Sequence, residues 1–261
     1  MEEKRMITVT VDGERYSYPK GTPYRAVAAD FQDRYPNDIL LVNRDGKLCE
    51  LHKQADRDCA LKFLTARDVP GIQTYERSAV FLMLKAFYDV VGRGNIEGVS
   101  VGYSLSRSLF IRARGAFALD QPLLDQVEGR MRELSAAALP IKKRSVSTDD
   151  AIELFQEEGL FQKARLLSFR VNSHVNVYEL DGFVDYFYGY MVPDTGYVRY
   201  FGLELYEDGF VLRLPTLKDP DRLGEFRPSV KVFHELRAST LRAQALSVSN
   251  VAELNTIISQ G

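Results

Sequence analysis

Alternating apolar and polar residues open the chain. MITVTV at 6–11 and ERYSY at 14–18 read as two strands joined by Asp12-Gly13, a dipeptide suited to a tight hairpin turn. Gly21-Thr22-Pro23 then predicts a helix start, with Thr22 as cap and Pro23 at the first helical position. Ala26, Val27, Ala29 and Phe31 continue it, and short apolar runs at 39–42, 47–50 and 59–64 predict three more strands. This ββα unit followed by short strands suggests a small β-grasp-like domain. The polar stretch TARDVPG at 65–71 reads as a connection between domains.

Beyond it the period changes from 2 to 3.6. Val80, Phe81, Leu84, Phe87, Tyr88 and Val91 mark a long helix from about 74 to 91, closed by Gly92 and Gly94. Strands are expected at 99–103 and 108–113. A helix follows from Asp120-Gln121-Pro122, with Leu124, Val127, Met131 and Leu134 on one face. The run at 141–146 reads as a strand, Ser147 opens a capping-box helix, and a short helix covers 160–167. Residues 168–214 read as β-rich through LSFRVN, HVNVYEL, GFVDYFY, YVRYFGLELY and GFVLRLP. Helices are expected again at about 229–243 and from Asn250, where Glu253 completes a second capping box.

Composition narrows the picture. With 261 residues, 45% apolar and 27% charged, the chain is long enough for two domains with real cores. A net charge of -2 lacks the basic excess of a protein that lives on phosphate neutralisation. Cys49 and Cys59 are not in a metal-type spacing, and His52, His174 and His234 form no HxxxH pair. The charged start is unlike a signal peptide, and no apolar run approaches the ~20 residues that cross a bilayer. A cytoplasmic, reduced protein with no membrane partner is the expectation.

Two stretches carry a family resemblance. ITVTVDGERYSYPKGTPYRAVAADF and DCALKFLTARD resemble the TGS domain at the start of threonyl-tRNA synthetases. Residues 71–215 resemble the adjoining editing domain, shared with alanyl-tRNA synthetases, most specifically in LPIKKRSVSTDDAIELFQEEG and DGFVDYFYGYMVPDTGYVRYFGLEL. The resemblance implies an α+β fold. A β-grasp-like TGS domain would occupy 1–66, an editing-like domain with a long helix and an antiparallel sheet 71–216, and a helical tail or linker 217–261. YERSAVFLMLKAFYDV and the tail SVSNVAELNTIISQ look like the version of this pair that precedes a P-loop domain in uridine-kinase-like nucleoside kinases. The chain has no GxxxxGK[ST]; Gly46-Lys47 runs into Leu48. A kinase domain, with its ATP and magnesium, is therefore expected beyond the present end as a partner of this region, and no cofactor is expected in the chain itself.

In the editing family, HxxxH on the long helix and CxxxH on a later strand-turn form a metal-capable cluster. Aligned here, the helix pair falls on Arg77 and Phe81, and the strand pair on Phe187 and Met191. A guanidinium, two phenyl rings and a thioether do not make a zinc site, so no catalytic residue is evident. Two readings stay open. Arg77, beside Tyr75, Tyr186, Tyr188 and Tyr190 and with Arg107 bordering the cleft, would bind an anion and a base or sugar, as in a nucleoside or RNA ligand. Alternatively, Phe81, Phe187 and Met191 fill the emptied cleft as core. YFYGY at 186–190 is either a strand of packed aromatics or an RNA-stacking platform. Arg130, Arg132, Lys142, Lys143 and Arg144, and later Arg222, Arg227, Lys231, Arg237 and Arg242, are either solvated faces or RNA contacts. The leading expectation is a non-catalytic regulatory or ligand-binding module of a nucleoside kinase. The alternatives are a threonyl-tRNA-synthetase-related editing-like protein or an RNA-binding adaptor.

Overall fold

The opening alternation folds as a hairpin in the computed structural model, which describes residues 5–106, 108–169, 173–245 and 258. Strands β1 (Met6–Val11) and β2 (Glu14–Pro19) pair antiparallel, and Asp12 and Gly13 take φ of 50° and 86°, as such a turn requires. β3 (Thr22–Pro23) and helix α1 (Tyr24–Ala29) come next. β4 (Ile39–Arg44), β5 (Lys47–Glu50), β6 (Gln54–Ala55) and β7 (Cys59–Thr65) complete the unit. Five strands form a mixed sheet in the order β2-β1-β7-β4-β5, with β1 and β7 parallel, over a core of Val9, Val27, Phe31, Val42 and Phe63. The predicted helix start is one residue off. Thr22 pairs with Ala55 and its hydroxyl donates to the Pro19 carbonyl, so Pro23 precedes the helix rather than opening it.

Helix α2 (Val69–Val91) begins about five residues earlier than the sequence suggests. The end of the stretch read as a domain connection, from Val69 to Gly71, lies in its first turn. Pro70 fits there because an N–H in that turn lacks an intrahelical acceptor anyway. The Asp68 carboxylate meanwhile accepts from the Thr65 amide at 2.9 Å. Gly71 allows the helix to touch the end of β7: a Cβ at that position would lie 1.9 Å from the Thr65 carbonyl oxygen.

The remaining elements wrap α2. β8 (Ile96–Leu105), β9 (Ser108–Gly115), α3 (Gln121–Ala136), β10 (Lys142–Ser147), α4 (Thr148–Glu157) and α5 (Phe161–Ser168) follow in order. β11 (His174–Leu180), β12 (Phe183–Tyr186), β13 (Gly202–Tyr206), β14 (Gly209–Arg213) and α6 (Val230–Ala245) complete the described chain. Asp120 and Ser147 cap α3 and α4 as their spacing predicts. One antiparallel sheet runs β13-β14-β9-β8 and another β10-β11-β12. α2 buries Ala79, Phe81, Leu82, Met83 and Phe87 against Leu124, Val127 and Met131 of α3 and Phe210 and Leu212 of β14. The class is α+β.

Three strand expectations fail for stated reasons. Leu167 and Ser168 of LSFRVN end α5, and 170–172 lie outside the described residues. In YVRYFGLELY only Gly202–Tyr206 is strand, because the Tyr200 amide and carbonyl are taken by the Tyr75 hydroxyl rather than by a neighbouring strand. In YFYGY the sheet is left after Tyr186, and Gly189 at φ 126° turns the chain inward. The helix expected from Asn250 lies outside the described residues apart from Ile258. Among the described residues no helix is long and apolar enough to cross a membrane.

Candidate functional site

The four positions that align with the family's metal-capable cluster do meet in space. Arg77 and Phe81 stand one turn apart on α2, facing the segment that follows β12. The Phe81 and Phe187 rings meet edge to face at 5.4 Å between centroids, and Phe81 also packs on Phe183 at 5.7 Å. Phe81 is 0% exposed and Met191 1%. The Ser78 hydroxyl donates to the Thr74 carbonyl at 2.8 Å, accepts from the Val192 amide at 3.0 Å, and lies 3.5 Å from the Met191 sulfur. Interlocked side chains occupy the cleft at these positions.

Arg77 is held on the same segment. Its Nε donates to the Tyr190 carbonyl at 3.0 Å and an Nη to the Thr74 hydroxyl at 3.4 Å. The guanidinium lies over Gly189, where a Cβ would come within 2.7 Å of it. Burial lowers the guanidinium pKa, and among the described residues Arg77 forms no ion pair. A metal does not fit here. The guanidinium is spent on neutral oxygens, the rings have no lone pair, and the thioether is a poor zinc ligand. Among the described residues no cluster of three or more His, Cys, Asp or Glu side chains could hold one elsewhere.

Beneath this layer lies a polar cluster that no sequence pattern announced. Glu50, at the end of β5 in the first sheet, is 0% exposed. Its Oε1 accepts from the Tyr178 hydroxyl at 2.8 Å and the Met191 amide at 3.1 Å, and its Oε2 accepts from Lys143 Nζ at 2.8 Å. The Tyr178 oxygen is also 2.7 Å from the Gly189 carbonyl, so two acceptors compete for one proton. Burial first, and Glu50 second, raise the Tyr178 pKa strongly. His52 Nε2 stands 3.9 Å from Glu50 Oε2, and its pKa is lowered by burial against the opposing pull of Glu50. The one available signal was a lone carboxylate closing the apolar run of β5; its partners lie up to 141 residues away.

A cavity of about 370 Å³ opens past Phe183, where Leu84 and Tyr88 continue the α2 face that carries Phe81. Inside it, Asp185 is 1% exposed, with both carboxylate oxygens 2.5 Å from Lys163 Nζ and Oδ1 accepting from the Tyr186 amide. Arg93 pairs with Glu158 at its edge. Neither Lys163 nor Asp185 stood out in the sequence.

The other candidates separate. Tyr188 is 82% exposed and turns away from the packed layer of Arg77 and Phe81. Arg107 lies outside the described residues. The basic groups pair off with carboxylates: Arg130 with Asp89 and Glu133, Arg132 with Glu128, Lys142 and Arg144 with Glu179. Three of the later five do likewise, Arg222 with Asp219, Arg227 with Glu225, and Arg237 with Glu207 and Asp208.

No family model matches the chain. Curated relatives do. A threonine–tRNA ligase of Polaromonas sp. is 28% identical over 204 residues, 76% of this chain and 31% of that protein. That of Syntrophotalea carbinolica is 30% identical over 186 residues, 70% of this chain and 26% of the relative. That of Thermotoga neapolitana is 25% identical over 197 residues, 75% and 30% respectively. The chain thus spans less than a third of the length of these relatives. They support the synthetase resemblance and lend none to the expected nucleoside-kinase setting. Over about three-quarters of its length, this chain is similar to one region of threonine–tRNA ligases.

Proposed function

We propose that the chain is a threonyl-tRNA-synthetase-related, editing-like module that binds a ligand and does not hydrolyse one. The observation that carries the reading is the packing of Phe81, Phe187 and Met191, with Arg77 spent on the Tyr190 carbonyl. Arg77, Phe81, Phe187 and Met191 offer a water at this place no group to take its proton and no donor set to hold an activating metal. Residues 1–66 are the TGS-like unit, 71–216 the editing-like unit and 217–261 a tail towards a further domain. Tyr188 and the cavity beyond Phe183 are the ligand-facing features, and an RNA or a nucleoside is the ligand class. A cytoplasmic setting suits this role. The test is deacylation of mischarged threonine tRNA. The expected result is release at the spontaneous rate, and turnover that scales with protein concentration would overturn the proposal.

The nucleoside-kinase setting rests on the resemblance of residues 75–90 and of the tail alone. A GxxxxGK[ST] segment downstream in the same reading frame is the observation that would support it.

A further inference from the structure

A second cavity lies on the opposite flank of α2, away from the packed cleft. It measures about 490 Å³, is open to solvent on one side, and is bordered by the first turns of α2, the β8–β9 hairpin and the segment after β14. Ile72, Leu109, Leu214 and Leu217 give it apolar walls, and exposed Lys218 stands at the rim. The segment that closes it is held firmly: Thr216 and Asp219 exchange backbone hydrogen bonds at 3.2 and 3.1 Å. The volume falls within the roughly 300–1,000 Å³ of small-molecule sites.

One group in this wall is out of keeping with the rest. Glu76 is half-buried, and its carboxyl has neither a hydrogen-bond partner nor an ion pair among the described residues. Among the described residues, the more deeply buried carboxylates of Glu50, Asp185 and Asp194 are each compensated. Glu50 has Lys143, Tyr178 and the Met191 amide. Asp185 has Lys163, and Asp194 has Arg25 and the Gly196 amide. The neighbouring Arg77 does not serve Glu76, because its guanidinium is directed to the Tyr190 carbonyl. The Glu76 oxygens are not among the buried atoms that lack a partner, so the carboxyl is open to whatever enters the cavity. Such groups concentrate where a ligand supplies the missing partner. Burial raises the Glu76 pKa against the opposing pull of the neighbouring Arg77.

We propose that this cavity binds a small apolar amine, with its ammonium on the Glu76 carboxylate and its body against Ile72, Leu109 and Leu214. The Lys218 ammonium at the rim disfavours a second positive charge, so the site selects monoamines over diamines.

The test is a methyl-NMR titration of the full chain with 2-phenylethylamine and its neutral counterpart 2-phenylethanol. The expected result is saturable shifts at Ile72, Leu109 and Leu214, with the amine binding about tenfold more tightly than the alcohol. Glu76→Gln, near-isosteric and checked for an unchanged melting temperature, should abolish that preference. Leu217→Trp, at an exposed wall position, should weaken both ligands by filling the mouth. Absence of shifts, equal affinity for amine and alcohol, or amine binding untouched by either variant would each overturn the proposal.

Discussion

Replacing Glu50 with alanine tests how the two halves of the molecule are joined. The substitution removes the acceptor for three donors: Lys143 Nζ at 2.8 Å, the Tyr178 hydroxyl at 2.8 Å and the Met191 amide at 3.1 Å. Tyr178 retains the Gly189 carbonyl at 2.7 Å, so its loss is small. Lys143 is the expensive partner, since its side chain is only 15% exposed and would keep its charge with no counter-ion. Breaking one side of a buried pair costs about 3–5 kcal/mol. Partial access of Lys143 to water favours the lower end, about 3 kcal/mol, which corresponds to roughly 6–12 °C in melting temperature at 2–4 °C per kcal/mol. Glu50→Gln keeps an acceptor for Tyr178 and Met191 and loses only the charge-assisted bond, about 1.5–3 kcal/mol. The assay is thermal and urea unfolding of wild type, both single variants and the pair Glu50→Ala/Lys143→Met. If the stranded cation carries the cost, adding Lys143→Met recovers roughly 1 kcal/mol or more. A Glu50→Ala variant melting within about 1 °C of wild type, or strict additivity in the pair, refutes the reasoning.

Other perturbations follow from the same geometry. Phe81→Ala empties a fully buried position between Phe183 and Phe187 and should cost about 3–5 kcal/mol in urea unfolding. A loss below about 1 kcal/mol would mean the cleft is not packed as described. Gly71→Ala drives a Cβ into the Thr65 carbonyl, so α2 must lift off β7; a loss at the top of about 1–3 kcal/mol is expected, while Gly224→Ala, in open space, serves as the silent control. His52 predicts a pH effect. Its folded pKa lies below its ordinary value because of burial, so it contributes stability that is fully present above the unfolded pKa of about 6.5 and is lost as the pH falls through the lower folded pKa. His52→Gln should flatten the acid limb of melting temperature against pH below about 6.5, and an unchanged slope would exclude His52 as its source.

The elements most legible in the sequence were those whose signals are local. The Asp12-Gly13 turn, the Asp120 and Ser147 caps and the apolar face of α2 each act within a few residues, and each formed as read. The start of α2 was missed because Pro70 and Gly71 signal a break in isolation. Here proline fills a first-turn position, and the glycine is required by a backbone on another strand. At the cleft, spacing and resemblance single out Arg77, Phe81, Phe187 and Met191; the structure packs Phe81 on Phe187, seats Met191 on Ser78 and ties Arg77 to the Tyr190 carbonyl beside it. What the sequence withheld was direction. Nothing in YFYGY distinguishes Phe187, turned onto Phe81, from Tyr188, turned into solvent, because one glycine at φ 126° decides it. Glu50 was illegible for a different reason: a carboxylate advertises its charge but not a lysine 93 residues away.

That long-range pairing sets a rule for inheritance. The floor of the cleft is not the property of the unit that lines it, since the Met191 amide beside the packed layer rests on a carboxylate contributed by the opening sheet. Cutting the chain between 66 and 70 would leave one fragment with an ownerless acid and the other with three ownerless donors, so ligand measurements on either fragment would report on an altered cleft. The same dependence constrains drift. A change at position 50 is tolerable only with a matching change at 143 or 178, and related sequences should therefore exchange these three residues as a set, even though they belong to separate units of the fold.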